Sequence, residues 1–176
     1  WHSDVTWRQE PSLGSILRGR VIPDVGGDTS FANAAAAYDR LPEDIKNEVD
    51  GLFAIHDFTQ TFGRRMSIEE QAEQHKKYPP ARHPVIRTHP ETGERSIYTN
   101  QPFVSHIEGT SPERSQEILR ILRQAMLNPS IQCRVQWEVD TIVMWDNRVV
   151  QHQASNDFYT QTRHVERVTI IGDKAF

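Results

Sequence analysis

The chain begins with Trp1-His2-Ser3-Asp4-Val5-Thr6, and this hexapeptide carries the strongest indication of fold and chemistry. It places an imidazole at position 2 and a carboxylate at position 4. Side chains two residues apart on a β-strand point to the same face, so His2 and Asp4 are predicted to bind one cation together. The His-x-Asp pattern is common by chance, and its meaning depends on what the rest of the chain supplies.

A third candidate ligand is His152, which follows the compact turn Trp145-Asp146-Asn147-Arg148. Two histidines and one carboxylate form the facial triad of non-haem iron(II) oxygenases, which leaves positions open for substrate and oxygen. His56-Asp57 looks like a second metal pair, but adjacent residues on a strand point to opposite faces. The remaining histidines are interpreted as ordinary surface or core residues: His56, His75, His83, His89, His106 and His164.

Two arginines follow this candidate triad. If a strand runs from Arg163 to Gly172, Arg163 and Arg167 share one face and both point inward. Because a buried guanidinium is costly without a matching anion, the pattern indicates an anion pocket beside the metal, with room for two anions. The alternative is that both arginines pair with carboxylates on a solvated sheet face.

The hydrophobic pattern predicts a strand-rich chain with a few helices, either α+β or mainly β. Polar residues dominate 63–80, which is either a solvated, partly helical excursion or a mobile lid. The predicted strands are Val5–Ile22 as one or two strands, Phe53–Phe62, a hairpin over His83–Tyr98, Gln132–Trp145 and Arg163–Gly172. The predicted helices are Ser30–Leu41, Pro42–Leu52 and Pro112–Met126.

Length and composition narrow the classes of protein. With 176 residues, 36% of them hydrophobic, the chain is expected to form one domain. Its net charge of −4 argues against a nucleic-acid partner, and no apolar run is long enough to span a membrane. The single cysteine, Cys133, excludes an internal disulfide and fits a reducing, cytoplasmic compartment. Its expected place is the core.

Taken together, these motifs resemble the taurine dioxygenase family, the iron(II)- and 2-oxoglutarate-dependent dioxygenases. The similarity covers essentially the whole chain, with the motifs in the family order. The matching residues are Trp1-His2-Ser3-Asp4-Val5-Thr6, Gly26-Gly27-Asp28-Thr29, His83-Pro84-Val85, Arg87-Thr88-His89-Pro90, Asn100, Trp145-Asp146-Asn147-Arg148, His152, Arg163, Arg167 and Gly172-Asp173-Lys174.

The resemblance implies a mainly β fold with flanking helices, the double-stranded β-helix or jelly roll. It implies that 1–176 form a single dioxygenase domain that lacks an N-terminal portion of the complete protein. The implied cofactors are Fe(II), with 2-oxoglutarate and O2 as co-substrates. The implied partners are a small anionic substrate and further copies of the chain, in a dimer or tetramer, with no nucleic acid or membrane.

The resemblance also assigns roles to residues. His2, Asp4 and His152 are the implied catalytic iron ligands. Thr29 and Arg163 are implied to hold the distal carboxylate of 2-oxoglutarate, and Thr29 can instead be a helix N-cap. The implied substrate-binding residues are Arg167 at the anion, the aromatic walls Phe62 and Phe103, and Val5 beside the iron. Thr61 stands where the family has serine, and both aromatic walls can instead be core residues.

The expected activity is hydroxylation of a small anion, taurine or a related alkylsulfonate, with release of sulfite and an aldehyde. The alternatives within the family are an alkyl sulfate ester and a carboxylate from a biosynthetic pathway. A jelly roll that has lost activity is the alternative from another class, and the intact His2, Asp4 and His152 argue against it.

Overall fold

The computed structural model describes all residues, 1–176, as a chain built mainly from strands. No helix has the length and apolar character needed to cross a membrane. The strands are β1 (Ser12–Val21), β2 (Thr29–Asn33), β3 (Phe53–His56), β4 (Ala81–Pro84), β5 (Ile86–Thr88), β6 (Arg95–Ile97), β7 (Val104–Ile107), β8 (Gln132–Val135), β9 (Ile142–Asp146), β10 (Val150–Ala154) and β11 (His164–Ile171). The helices are α1 (Ala34–Asp39), α2 (Glu43–Val49), α3 (Thr59–Phe62), α4 (Ile68–Lys77) and α5 (Pro112–Met126).

Two three-stranded antiparallel sheets form the part of the fold that carries the candidate site. Their strand orders are β11-β1-β9 and β10-β2-β8, so each sheet joins strands from distant parts of the chain. A small apolar cluster fills the space between them: Leu17, Phe31, Trp137 and Trp145. This face-to-face packing is the jelly roll that the resemblance to the family implies.

The larger hydrophobic core lies under α5. Ser111 caps the start of α5, because its hydroxyl accepts the Arg114 N–H. The helix buries Ile118, Leu122 and Met126, which lie at four-residue spacing on one face. These side chains pack with α1, α2 and the sheet β4-β3-β7 in a cluster of 17 buried residues. The predicted helix over Pro112–Met126 is confirmed to the residue.

The polar stretch 63–80 is exposed and partly helical, as the first of its two interpretations expects. Its helix α4 starts with a capping box between Ser67 and Glu70 and has no buried residue. Aromatic contacts anchor its end, because the Tyr78 ring lies 4.8 Å from Trp7 and 5.9 Å from Phe58. The hairpin is also confirmed, with β5 and β6 on either side of the Pro90–Glu94 turn.

Two predicted helix and strand boundaries are wrong. Thr29–Asn33 is not helical but forms β2, because it is hydrogen-bonded between β10 and β8. The helix starts only at Ala34, where the Asn33 side chain accepts the N–H groups of Ala35 and Ala36. The strand predicted over Phe53–Phe62 ends at His56, and α3 follows.

Two further strand predictions are too long. The segment Val5–Ile22, predicted to hold one or two strands, holds one, which starts only at Ser12 after a series of turns. The segment Gln132–Trp145 divides into β8 and β9, because the chain turns between them at Asp140, where φ is 69°. Cys133 is exposed rather than buried, since β8 is an edge strand of its sheet.

The fold predicts different consequences for two matched isoleucine substitutions. Ile118→Ala removes a fully buried side chain from the α5 core and should lower the unfolding free energy by about 2–5 kcal/mol. Ile68→Ala on α4, where the side chain is 83% exposed, should change it by less than about 0.5 kcal/mol. Urea unfolding followed by circular dichroism measures both. Equal losses would contradict the placement of the core under α5.

Candidate metal centre

The structure brings His2, Asp4 and His152 together from opposite ends of the chain. His2 and His152 form an isolated antiparallel bridge, in which each backbone N–H donates to the other's carbonyl, at 3.0 and 2.8 Å. The Nε2 atoms of the two rings lie 3.9 and 4.0 Å from separate oxygens of the Asp4 carboxylate. One candidate ligand atom from each residue lies within 4.8 Å of the others.

The route by which Asp4 reaches this position differs from the prediction. His-x-Asp was expected to lie on one strand face, but only His2 makes a strand-like bridge. The chain turns from Asp4 onward, with Val5 at φ 60°. A turn therefore places the carboxylate beside the two imidazoles, and the argument from strand alternation was wrong although the grouping was right.

Two side chains that the sequence analysis did not assign hold Asp4 in place. The Ser15 hydroxyl donates to Asp4 Oδ2 at 2.6 Å, and the Asp4 N–H donates to Asn147 Oδ1 at 3.1 Å. Asn147 also donates to Ser15 Oγ and accepts the Trp145 indole N–H at 2.9 Å. A signal existed for Asn147, which lies within the Trp-Asp-Asn-Arg turn, whereas the spacing around Ser15 gave none.

Burial keeps both imidazoles neutral. It lowers the pKa of His2, with Asp4 acting in the opposite sense. It lowers the pKa of His152 to about 3, and His2 adds to this effect. Neutral rings leave a nitrogen lone pair free at physiological pH, which is the form in which histidine binds a metal.

The donor set fits a divalent metal ion. Metal–nitrogen and metal–oxygen bonds are about 2.0–2.2 Å long, so one ion can lie between atoms that are about 4 Å apart. The two Nε2–carboxylate distances, 3.9 and 4.0 Å, meet this condition. Two neutral imidazoles and one carboxylate suit iron(II), and three ligands on one side leave coordination positions open.

A second group of contacts forms beside Thr29. The Thr29 hydroxyl oxygen accepts from the Trp137 indole N–H at 3.0 Å and from Arg163 Nη2 at 3.3 Å. Its own proton therefore remains available to another acceptor. Thr29 is the first residue of β2 and not a helix cap, because Asn33 caps α1. The structure thus brings Thr29 and Arg163 together, as the sequence analysis expected.

Arg163 is a partly buried cation with few protein partners. Its Nε donates to the Gly27 carbonyl at 2.7 Å, and its guanidinium lies 5.7 Å from the centre of the Trp137 ring. Burial lowers the pKa of Arg163, while Asp28 acts in the opposite sense. A guanidinium with this environment can receive an anionic group. Arg163 lies just before β11, which starts at His164.

Arg167 pairs with the carboxylate of a candidate metal ligand, Asp4. Its Nη1 donates to Asp4 Oδ1 at 2.6 Å, and its side chain is half-exposed. The strand starts one residue later than predicted, so Arg163 lies just outside β11. Both guanidiniums nevertheless reach the site, Arg163 at Thr29 and Arg167 at Asp4. The other N–H groups of Arg167 remain free to bind an anion.

Two aromatic rings extend from the centre toward solvent. Phe103 is buried, with its ring 6.3 Å from that of His2. The centre of the Phe62 ring lies 6.1 Å from that of Phe103. Phe62 is 46% exposed, so it is not a core residue. Thr61, next to it, donates its hydroxyl to the Pro102 carbonyl at 2.5 Å. Together the two rings form an apolar wall at the rim of the centre.

The other histidines do not join the centre. His83 contacts the Arg8 carbonyl, and His89 accepts N–H groups of its own turn while contacting Asp146. Asp57 pairs with His75 and accepts from Thr59, so it forms no metal pair with His56. These outcomes agree with the structural roles predicted for them.

Comparison with known proteins gives a consistent result. The family described as taurine catabolism dioxygenase TauD, TfdA matches residues 1–169. An alkylsulfatase from Acinetobacter baylyi is 39% identical over 98% of the chain, which spans 56% of that protein. An alpha-ketoglutarate-dependent sulfate ester dioxygenase from Pseudomonas putida is 38% identical over 98% of the chain, which spans 60% of it. The chain therefore spans little more than half the length of these curated relatives.

A solved structure supports the same assignment. The crystal structure of AAD-2 in complex with Mn(II) and N-oxalylglycine superimposes with a TM-score of 0.90, at 30% sequence identity. The match covers 99% of this chain and 69% of that one. Because the family match runs over nearly the whole sequence and the fold agrees, the chain belongs to the taurine catabolism dioxygenase TauD, TfdA family.

Proposed function

We propose that the chain is the catalytic domain of a non-haem iron(II) dioxygenase that uses 2-oxoglutarate to oxidise a small organosulfur anion. The observation that carries this proposal is the convergence of His2, Asp4 and His152, with the Thr29–Arg163 contact on β2, the strand that pairs with β10 of His152. A metal centre and an anion-binding pair in one place are what the reaction requires. Family membership supports the same reaction class.

In this proposal His2, Asp4 and His152 hold the iron. When bound, the iron supplies oxygen activation, coupled to the conversion of 2-oxoglutarate into succinate and carbon dioxide. The protein holds the three ligands on one side, because the His2–His152 bridge and the Ser15 contact to Asp4 limit their movement. The remaining side stays open to the two substrates.

Thr29 and Arg163 are proposed to hold the distal carboxylate of 2-oxoglutarate. The free proton of the Thr29 hydroxyl donates to one oxygen, and the Arg163 guanidinium supplies charge and further N–H groups. Partial burial strengthens this contact, since fewer water molecules compete for the charge. The pair therefore orients the 2-oxo acid end toward the metal ligands.

Arg167 is proposed to hold the anionic group of the oxidised substrate. Its guanidinium lies at the centre through its contact with Asp4 and is half-exposed, so an incoming anion can reach it. Phe62 and Phe103 offer apolar surface to the carbon chain. Val5, which follows Asp4 directly in the chain, is proposed to border the same space. Such positioning lets the reacting carbon be presented before oxygen is activated.

The substrate class that we propose is an organic sulfonate or sulfate. Taurine or a related alkylsulfonate is the first candidate, because the family is named for taurine catabolism. An alkyl sulfate ester is the second, because two relatives are named an alkylsulfatase and a sulfate ester dioxygenase. Hydroxylation at the carbon that bears the sulfonate or sulfate group gives an unstable product. This product releases an aldehyde with sulfite or sulfate, respectively.

Product analysis tests this proposal. The protein is loaded with Fe(II) and 2-oxoglutarate without oxygen, then mixed with air and one substrate from a panel of taurine, a longer alkylsulfonate, an alkyl sulfate and a matched carboxylate. We expect succinate in equal amount to sulfite or sulfate with one sulfur substrate. If only the carboxylate stimulates succinate formation, the proposed class of sulfonate and sulfate substrates is rejected. No succinate with any substrate, despite bound iron, would indicate a jelly roll without activity.

The two arginines predict separable kinetic effects. Arg163→Ala should raise the KM for 2-oxoglutarate by about 10- to 100-fold, the range for losing a charged hydrogen bond, and change the organosulfur KM less. Arg167→Ala should show the reverse pattern. Arg82→Ala is the control, since Arg82 pairs with Glu108 on the surface. Steady-state rates with each substrate varied in turn measure these effects. Equal changes in both KM values for both variants would contradict the assigned roles.

A further inference from the structure

The turn that carries Asp4 has a strained backbone. Val5 adopts φ 60°, in the left-handed region that β-branched residues rarely occupy. Only one backbone hydrogen bond closes this turn, from the Arg8 N–H to the Val5 carbonyl at 3.1 Å. A conformation of this kind persists when surrounding contacts impose it. The contacts that impose it here must come from the residues on either side of Val5.

Thr6 supplies such contacts immediately after Val5. Its side chain is fully buried, and its hydroxyl oxygen accepts the Asn100 side-chain N–H at 2.9 Å. The same oxygen lies 2.9 Å from Nδ1 of His56, which is also fully buried. These two partners belong to different elements, the end of β3 and the loop before β7. One hydroxyl therefore ties the turn to two parts of the core.

The same contacts reach the aromatic wall of the centre. The Asn100 side-chain oxygen accepts the Phe103 N–H at 3.1 Å, and the Phe103 ring borders His2. Asn100 therefore contacts both the turn of Asp4 and the segment of Phe103. None of Thr6, His56 and Asn100 is a candidate metal ligand, and the proposed function uses none of them.

We propose that Thr6 is a positioning residue for the metal centre. Its hydroxyl, held between His56 and Asn100, keeps Val5 in its strained conformation and so keeps the Asp4 carboxylate turned toward the two imidazoles. Without that hydroxyl, Val5 relaxes to a negative φ and the direction of the Asp4 side chain changes. The inference rests on the proposed function, because it takes Asp4 as a metal ligand.

The test is the affinity of the metal-free protein for Mn(II), measured by calorimetry and by the electron paramagnetic resonance signal of free Mn(II). Thr6→Val keeps the shape of the side chain and removes the hydroxyl. We expect it to weaken Mn(II) binding by about 10- to 100-fold, the effect typical of losing a residue that orients a metal ligand. Thr6→Val with wild-type affinity would overturn the proposal.

Two control variants separate positioning from general stability. Thr6→Ser keeps the hydroxyl and should bind Mn(II) within about threefold of wild type. Ser115→Ala removes another buried hydroxyl, which lies on α5 and accepts the Ile107 N–H without contacting Asp4 or either imidazole. It leaves a buried donor unpaired, as Thr6→Val does, and should leave the affinity unchanged. A loss in Ser115→Ala equal to that in Thr6→Val would mean that destabilisation alone weakens binding.

The strain at Val5 gives a second test. Glycine adopts positive φ without strain, so Val5→Gly removes the need for a contact that imposes the turn. In that background, Thr6→Val should weaken Mn(II) binding much less than it does beside Val5. An equal loss in both backgrounds would overturn the link between Thr6 and the strained turn. If Thr6→Val does not fold, Asn100→Ala removes one of the two contacts, and wild-type affinity there would overturn the proposal.

The same measurements distinguish this inference from the proposed function. If wild type binds Mn(II), His152→Ala loses binding and Thr6→Val keeps it, the inference fails and the metal centre stands. If wild type does not bind Mn(II), both fail. If His152→Ala and Thr6→Val both lose affinity while Thr6→Ser and Ser115→Ala keep it, both are supported.

Discussion

Two backbone hydrogen bonds between His2 and His152 join the beginning of the chain to β10, and the candidate centre depends on them. They bring one imidazole from each end of the sequence to the same place. The β10-β2-β8 sheet fixes His152, whose ring packs against Phe31 and Trp145. Two hydrogen bonds are enough to hold His2 beside His152, because the jelly roll already brings the two segments together.

The second constraint is a buried carboxylate. Asp4 is almost inaccessible to water, and leaving a charge there without partners would be costly. Two donors satisfy the carboxylate, Ser15 at one oxygen and Arg167 at the other. The Asn147 side-chain oxygen accepts the Asp4 backbone N–H and fixes the chain beside it. The same contacts that satisfy the charge also limit where the carboxylate can point. The same residues therefore stabilise the buried carboxylate and orient it for metal binding.

Local patterns predict the α5 helix and the grouping of His2 with Asp4 and His152. The jelly roll and the pairing of Thr29 with Arg163 are implied only by the resemblance to the family. The sequence does not predict Ser15 and Thr6, whose partners lie far away in the chain. The helix predicted from Ser30 failed since an alanine run dominated the local pattern, whereas pairing with β8 and β10 decided the outcome. Arg163 was predicted as the first residue of the last strand, but β11 starts one residue later, at His164.

Anomalous X-ray diffraction from crystals of the protein grown with Mn(II) tests the central claim most directly, because it locates the metal without reference to activity. The account predicts one strong peak within about 2.0–2.4 Å of His2 Nε2, an Asp4 carboxylate oxygen and His152 Nε2. A peak at any other group of residues, or no peak at this one, would contradict it.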